Sequence, residues 1–180
     1  MSLPNITSVT LMPTLTILEF PDERLRVSAL PVVFPDESIE KLIDDMALVM
    51  YEAPGIGLAA IQVNKPLRLF VMDLSQEQSQ LQVFINPVIL ETEGVTASEE
   101  GCLSVPGMYE TVERNEEILL EWSDSVGQPR QQRFGGLDAI CIQHEVDHLN
   151  GKLFVDHISR LKRARIAKKL RKLKSLAEVI

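Results

Sequence analysis

The stretch His144-Glu145-Val146-Asp147-His148 is the part of this chain from which its fold and its site can best be predicted. Two histidines four residues apart lie on one face of an α-helix, close enough together to share a metal ion. The glutamate beside the first histidine can reach a water molecule on that ion. The chain has 180 residues and only three histidines. A solvated helix with two coincidental histidines is therefore the weaker interpretation.

The elements around this motif indicate an α+β fold. Helical periodicity predicts the motif helix over residues 134–149, ended by Asn150-Gly151, whose residue types tolerate a left-handed backbone. Further helices are predicted at residues 37–51 and 159–176, and strands at residues 67–73, 81–85 and 118–122. Asn86-Pro87 is expected to close the second strand. Strands grouped between helices favour α+β over an alternating parallel sheet.

Two histidines leave a catalytic metal site incomplete, because such sites usually have three protein ligands and one open position. Phe154 stands where one zinc-peptidase pattern has its third histidine, and the only later glutamate is Glu178, in a basic tail. Asp156 and His157 are possible ligands, although they closely follow the end of the helix. We therefore expect an upstream ligand, and Cys102 is the best candidate.

The surroundings of Cys102 support a ligand role. Gly101 precedes it and Pro106-Gly107 follows, so the backbone is expected to be shaped for close approach. One thiolate with two imidazoles suits zinc or a similar divalent ion. Taken alone, Cys102 would be interpreted as an ordinary buried cysteine. Cys141, three residues before His144, is expected to line the pocket, since a fourth protein ligand would close the site.

A third block, Gly55-Ile56-Gly57-Leu58-Ala59-Ala60-Ile61-Gln62, lies upstream of both. It is not a dinucleotide fingerprint, because no strand precedes it and the third glycine is missing. A tight turn into a closely packed segment is one interpretation. The other is that a ligand peptide lies along its exposed backbone, with Gln62 donating an amide N–H to a carbonyl oxygen.

Together the three blocks resemble the peptide deformylases. The family pattern is Gly-x-Gly-x-Ala-Ala-x-Gln, then Glu-Gly-Cys-Leu-Ser, then Gln-His-Glu-x-Asp-His, and it is met at residues 55–62, 100–104 and 143–148. The likeness covers residues 16–175. It implies an α+β fold with a mixed or antiparallel sheet around a central metal-binding helix, followed by a C-terminal helix. It also implies removal of the formyl group from the N-terminal formylmethionine of newly made proteins, which releases formate.

The resemblance also implies roles for individual residues. Cys102, His144 and His148 would hold one metal ion, Fe²⁺ in the native enzyme, with Ni²⁺, Co²⁺ or Zn²⁺ as substitutes. Glu145 would act as general base and then acid, and the Gln62 side chain and the Leu103 N–H would face the formyl oxygen. Substrate-binding positions would be Gly55, Ile56, Gly57, Glu100, Tyr109, Leu137, Ile140 and Cys141. Many relatives carry Arg where Tyr109 stands, which leaves the preference beyond the first methionine open.

Charge is distributed unevenly along the chain. Residues 1–159 hold nine Lys+Arg and 25 Asp+Glu, a net charge of −16, whereas residues 160–180 hold nine Lys+Arg and one acid, a net charge of +8. Bacterial deformylases dock at the ribosome through a C-terminal helix, so the resemblance implies ribosome binding by this tail. A solvated helix face is the alternative interpretation.

The predicted organisation is a single domain in three parts: an N-terminal extension at 1–15, a catalytic metallohydrolase region at 16–158 and the basic helix at 159–180. No apolar stretch is long enough to predict a membrane span, and the N-terminus lacks the basic start of a signal peptide. We therefore expect a cytoplasmic protein that is a monomer or weak dimer.

Three rival functions are compatible with parts of the sequence. The His-Glu-x-x-His motif alone suggests a zinc endopeptidase, although the downstream third ligand of that class is missing. The basic tail suggests a nucleic-acid-binding protein with a structural metal, but a glutamate beside an open metal position has no purpose there. An inactive family member is a third possibility, and the intact motifs count against it.

Overall fold

The structure is a computed structural model that describes residues 15–34 and 38–177. Three α-helices are present: α1 (Ser38–Glu52), α2 (Gly136–Leu149) and α3 (Arg160–Ala177). Seven strands lie between α1 and α2: β1 (Gly57–Ala59), β2 (Leu69–Met72), β3 (Gln82–Glu93), β4 (Thr96–Gly101), β5 (Tyr109–Arg114), β6 (Glu117–Ser123) and β7 (Pro129–Gly135). Short 3₁₀ turns occupy Glu23–Arg26, Ala60–Val63 and Phe154–Asp156.

The strands form two antiparallel sheets. Five of them make one sheet in the order β1-β2-β3-β6-β7, and β4 pairs only with β5. Each pairing between these strands is antiparallel. The α+β prediction is confirmed, and of the two expected sheet types the antiparallel one is found.

Helix α2 packs against the five-stranded sheet, and most of its side chains are buried. Ala139, Ile142 and Leu149 are fully buried and belong to the same core cluster as Phe70 and Phe84 of the sheet. Four polar residues of α2 are buried as well: Gln143, His144, Glu145 and His148. A helix that is buried on most of its circumference carries its polar groups into the interior, where each of them needs a partner or a ligand.

Strand β3 continues through Asn86-Pro87, so the prediction that these residues close it was wrong. The backbone of Asn86 has φ +53°, and the pairing with β6 shifts register between Ile85 and Val88. The Asn86 side chain accepts a hydrogen bond from the Val32 N–H at 2.8 Å and donates one to the Val32 carbonyl at 2.9 Å. The residues expected to end the strand therefore form a bulge within it.

The motif helix begins two residues later than predicted. Phe134 lies in β7, and Gly136, with φ +57°, starts α2. The predicted helix at residues 37–51 is confirmed as α1, apart from residue 37, which lies outside the described residues. Residues 1–14, which make up nearly all of the predicted extension, lie outside them too.

The predicted basic C-terminal helix is confirmed as α3. Its buried residues Ile166, Ala167 and Leu170 join a core cluster that contains Leu18 and Leu153, so the helix packs on the body of the protein. Two of its cations make ion pairs with that body: Lys162 Nζ lies 2.6 Å from Glu110 Oε2, and Arg163 Nη1 lies 2.8 Å from Asp156 Oδ1.

In the part of the chain that the structure describes, no helix combines the length and the apolar character that crossing a membrane requires.

Candidate metal centre

Cys102, His144 and His148 converge on one point, as the sequence predicted. The His148 Nε2 atom lies 3.3 Å from Cys102 Sγ and 3.2 Å from His144 Nε2. The three potential ligand atoms all lie within 4.8 Å of one another. Ligands about 2.0–2.3 Å from a tetrahedral ion are themselves separated by roughly 3.5 Å. A thiolate and two imidazoles in this arrangement fit a divalent metal ion and leave one coordination position open.

Two elements bring the ligands together. The i, i+4 spacing places the rings of His144 and His148 on one face of α2, with centroids 4.9 Å apart. Cys102 follows the last residue of β4, where the strand ends against that face. The Ser104 N–H lies 3.4 Å from Cys102 Sγ, a distance at which it donates to the sulfur.

Glu100 fixes the orientation of His144. Burial raises the pKa of Glu100, but hydrogen bonds from Arg114 and His144 outweigh that effect and lower it to about 2. The carboxylate is thus ionised and only accepts, so His144 Nδ1–H must be the donor across the 2.8 Å contact. With its proton on Nδ1, a neutral His144 ring would offer the lone pair of Nε2, the atom that lies at the metal position, to an ion. Glu100 borders the cavity, and its carboxylate contacts the ligand His144.

Arg114 supports the site, although no role was predicted for it from the sequence. Its guanidinium donates to both oxygens of Glu100, at 2.6 and 2.9 Å, and to Asp147 Oδ2 at 2.6 Å. Asp147 also contacts His157 Nε2 at 2.7 Å, so His157 is not a metal ligand. Asp156, the other downstream candidate, is paired with Arg163 instead.

A sequence signal for Arg114 existed. It follows Val112 by two residues on β5, so both side chains point to the same, buried side of the strand. An arginine at an inward strand position needs buried carboxylates as partners.

Glu145 lies beside the metal ligands and lines the cavity next to them. It is 3% exposed, and its Oε2 has no hydrogen-bond partner among the described residues. Burial raises the pKa of this carboxyl to about 7. A Cβ atom at Gly57 would collide with Glu145 Oε1 and lie 3.1 Å from Cys141 Sγ. The absence of a side chain at Gly57 therefore creates the space that Glu145 occupies.

The Gln62 amide is held in one orientation. Its Oε1 accepts a hydrogen bond from the Ala59 N–H at 2.8 Å, while its Nε2 donates to Ser104 Oγ at 3.1 Å and lies 3.6 Å from Cys102 Sγ. Because the Ala59 N–H binds Gln62 Oε1, the NH₂ group at the other end of the amide faces the ligand Cys102. An N–H donor is thus placed near the Cys102 sulfur, in the lining of the cavity described below.

A cavity of about 620 Å³ opens onto the candidate metal centre. Cys102, His144, Glu145, Gln62 and Leu103 all border it. Each predicted substrate-binding residue borders it as well: Gly55, Ile56, Gly57, Glu100, Tyr109, Leu137, Ile140 and Cys141. Several further lining residues were not predicted from the sequence, among them Ile17, Glu19, Pro54, Ser98, Glu99 and Met108. Ile17 and Glu19 come from a segment before α1 that carries no recognisable motif.

Comparison with known proteins identifies the family. The sequence pattern of the family described as polypeptide deformylase matches residues 14–164. The chain belongs to the peptide deformylase family. Similar relatives include the peptide deformylase of Pseudomonas aeruginosa, 56% identical over 162 residues that cover 89% of this chain and 96% of that protein. Peptide deformylase 1 of Pseudomonas syringae pv. tomato is 57% identical with the same coverage.

Solved structures of deformylases share the fold. The peptide deformylase of Legionella pneumophila superimposes with a TM-score of 0.86 at 48% identity, covering 91% of this chain and 96% of that one. The peptide deformylase of Synechococcus elongatus, crystallised in complex with actinonin, gives a TM-score of 0.83 at 42% identity, covering 88% and 89%. Peptide deformylases are metal-dependent hydrolases, and this chain is an enzyme of that class. Membership of the family counts against the endopeptidase and nucleic-acid-binding alternatives.

Proposed function

We propose that this deformylase removes the N-formyl group from the N-terminal formylmethionine of nascent polypeptides and releases formate. Family membership supports the reaction. The observation that carries the residue assignment is the convergence of Cys102, His144 and His148 on one point. Cys102, His144 and Glu145 line the adjoining cavity, and Glu145 Oε2 has no hydrogen-bond partner among the described residues. A substrate made during bacterial protein synthesis also supports a cytoplasmic location.

The cavity suits a formylmethionyl peptide. Ile56, Leu137 and Ile140 give one part of its lining an apolar character that fits a methionine side chain. Burial raises the pKa of the Cys141 thiol well above its usual value, and the charge of Glu145 raises it further. Cys141 therefore stays neutral and adds to this apolar surface. Gly55 and Gly57 leave the backbone of the facing wall open to a peptide main chain.

The reaction requires a metal ion to activate water and a side chain of the protein to transfer the proton. Cys102, His144 and His148 would hold a divalent ion, which would make a bound water acidic enough to react near neutral pH. Glu145 accepts a proton from the attacking water while the oxygen of that water bonds to the formyl carbon. Glu145 then passes that proton to the amine nitrogen as the C–N bond breaks, so formate and a free N-terminus leave.

Two N–H donors would stabilise the charge that develops on the formyl oxygen. We assign them to the Gln62 side-chain amide and the Leu103 backbone N–H, both of which border the cavity. Loss of one such donor typically lowers the rate about 10²–10³-fold. The bonds from Ala59 and to Ser104 support this role for Gln62, because they hold its NH₂ group toward the site.

We propose Fe²⁺ as the native metal, with Ni²⁺, Co²⁺ or Zn²⁺ as working substitutes. One thiolate and two imidazoles bind several first-row divalent ions, so the ligands themselves do not select among them. Metal analysis of protein purified without oxygen would identify the ion. Zinc as the predominant metal in such protein would contradict the iron assignment.

Formate release from formyl-Met-Ala-Ser tests the reaction. Nickel-loaded protein under low oxygen is expected to release formate, and the Glu145→Gln variant is expected to release almost none. Formate release by both proteins would leave the reaction intact and remove Glu145 from it. Release by neither, together with cleavage of casein by the wild type, would restore the endopeptidase alternative.

We propose that α3 binds the ribosome through phosphate contacts, and that the enzyme is a monomer or weak dimer. Arg165, Lys168 and Lys172 are exposed and lie on one face of α3, opposite its buried residues. Like charges on one outward face suit the phosphates of RNA. Sedimentation velocity would give the oligomeric state.

The ribosome proposal is best tested without deleting α3, because the helix contributes to the core. Replacing Arg165, Lys168 and Lys172 by Gln is expected to weaken co-sedimentation with ribosomes and to flatten its dependence on salt. The matched control replaces the exposed Lys41, Lys65 and Lys152, which lie outside α3, by Gln. Equal binding by both triple variants would contradict the proposal.

A further inference from the structure

The segment before α1 connects two of the blocks that form the candidate metal centre. The Leu18 N–H donates to the Gln62 carbonyl at 2.7 Å, and the Phe20 N–H donates to the Ser104 carbonyl at 2.8 Å. The Gln62 and Ser104 side chains also contact each other directly, at 3.1 Å. We call residues 17–20 the strap, because their main chain crosses from one block to the other.

The side chains of the strap alternate between the protein core and the cavity. Leu18 and Phe20 are buried and belong to the core cluster that contains the buried residues of α3. Ile17 and Glu19 line the cavity. Alternation with a period of two is the pattern of an extended chain. The strap is therefore anchored in the core on one side, while its other side forms part of the cavity wall.

Both strap hydrogen bonds lie next to the N–H donors proposed for the formyl oxygen. Gln62 would supply one donor from its side chain, and Leu103, which would supply the other, directly precedes Ser104 in the chain. Gln62 and Ser104 are 42 positions apart, so the distance between the two donors depends on contacts that join the two blocks. The strap provides two such contacts through rigid main-chain groups.

We propose that Leu18 and Phe20 are positioning residues, which act through Gln62 and Ser104 to hold the two donors at the spacing that the reaction needs. The inference rests on the proposed function, because it concerns the same formyl oxygen. Loss of a donor typically lowers the rate about 10²–10³-fold, so a displaced donor should cost less, about tenfold in kcat. KM should change little, since these donors act on charge that develops only in the transition state.

Removal of a single main-chain donor would test the strap directly. Replacing Leu18 by the α-hydroxy acid of leucine turns its peptide bond into an ester, which removes the N–H and keeps the side chain. The nickel-loaded variant should hydrolyse formyl-Met-Ala-Ser with kcat lowered about tenfold and KM nearly unchanged. The matched control places the same hydroxy acid at Leu30, whose N–H donates to the Pro66 carbonyl at 2.8 Å and which is outside the cavity lining. The control should keep the kcat of the wild type.

A pair of leucine variants would separate positioning from stability. Leu18 and Leu42 are 8% and 9% exposed, but Leu42 belongs to α1 and to a different core cluster. Leu18→Ala and Leu42→Ala should lower the midpoint of urea unfolding by similar amounts. Only Leu18→Ala should lower kcat at a temperature where both variants are folded, and Leu18→Met, which conserves volume, should restore it. The metal content should match the wild type in every variant, because no strap residue is a ligand.

The outcomes separate the two proposals. If the esters at Leu18 and Leu30 have the same kcat, the positioning role is wrong and the deformylase function stands. If Leu18→Ala and Leu42→Ala lower kcat equally, the effect comes from stability and the positioning role is again wrong. If the metal-loaded, folded wild type releases no formate, the proposed function fails and the positioning role fails with it.

Discussion

His144 Nδ1 and Glu100 Oε2 lie 2.8 Å apart, and the same carboxylate is bound from its other side by Arg114. The metal ligand is thus oriented by a buried carboxylate that is itself oriented by a buried guanidinium. Arg114 extends this connection to Asp147, which lies beside the second histidine ligand in the sequence. One side chain on β5 therefore supports both the approach of β4 to α2 and the geometry of the metal centre.

Replacing Arg114 by Met should destabilise the protein strongly. The buried Glu100 carboxylate would lose its cation, while the partly buried Asp147 would keep only its contact with His157. Breaking a buried ion pair typically costs about 3–5 kcal/mol. Metal affinity should also fall about 10- to 100-fold, as it does when the partner of a ligand is disturbed. Urea unfolding and competition with a chelator would measure the two effects. Arg130→Met is the control, because its ion pair with Asp124 is at the surface and should contribute less than about 1 kcal/mol.

Glu145→Gln should abolish most turnover while the protein keeps its metal. Loss of a general base typically lowers the rate about 10²–10⁴-fold. Glu145 is not one of the three converging ligands, so metal content and unfolding midpoint should stay close to those of the wild type. Formate release, metal analysis and urea unfolding on the same samples would separate these effects. Loss of metal from the variant would show that Glu145 serves the site structurally instead.

Gly57→Ala should reduce activity through Glu145. The added methyl group would collide with Glu145 Oε1 and press on Cys141, so the carboxylate must move or the β1 backbone must shift. We expect a loss of at least about tenfold in kcat, since small displacements of catalytic groups are costly. Gly135→Ala is the matched control, because its Cβ would find ordinary contacts no closer than 3.6 Å. Equal rates for the two variants would refute the proposed contact.

Asp73 should cause the free energy of unfolding to decrease as the pH is lowered. Burial raises its pKa, but hydrogen bonds from Ser75, Tyr51 and Gln80 outweigh that effect and lower it to about 2, from an ordinary value of 3.8. A carboxyl whose pKa is lower in the folded state stabilises that state above about pH 4, and this contribution disappears as the pH falls toward 2.

The comparison of wild type with Asp73→Asn would test this pH dependence. Above pH 4 the variant should be less stable by about 1.5–3 kcal/mol, the usual contribution of hydrogen bonds to a charged group. The difference in the free energy of unfolding should narrow between pH 4 and pH 2. A difference that stays constant over that range would mean that the charge of Asp73 is unimportant.

The parts of the site that sequence could predict are those with local spacing. His144 and His148 are one helical turn apart, so their convergence follows from helix geometry alone. Cys102 required an argument about ligand number, and the structure confirms that it lies with the histidines. Arg114 was missed because no strand was predicted around it, and because its partners, Glu100 and Asp147, are 14 and 33 residues away in the chain.

Of the four strands that were not predicted from the sequence, β1, β4, β5 and β7, two lack an apolar pattern. Strand β4 is formed by small and acidic residues, and β7 is exposed along most of its length. In both, pairing with a neighbouring strand determines the conformation, and single-sequence periodicity carries little of that information. The error at Asn86 has a similar origin, because its left-handed backbone is stabilised by a side-chain contact with Val32, 54 residues away.

The convergence of Cys102 with His148 has a consequence for how the chain unfolds. The two residues are 46 positions apart, so an ion that binds both closes a long loop, much as a covalent cross-link would. Unlike a disulfide, this cross-link can be removed with a chelator, and its contribution rises with the free metal concentration. The β4–β5 hairpin and α2 would then separate only after the ion dissociates. Resistance to proteolysis should therefore depend on metal occupancy, and the loaded enzyme should outlast the stripped one in a cell.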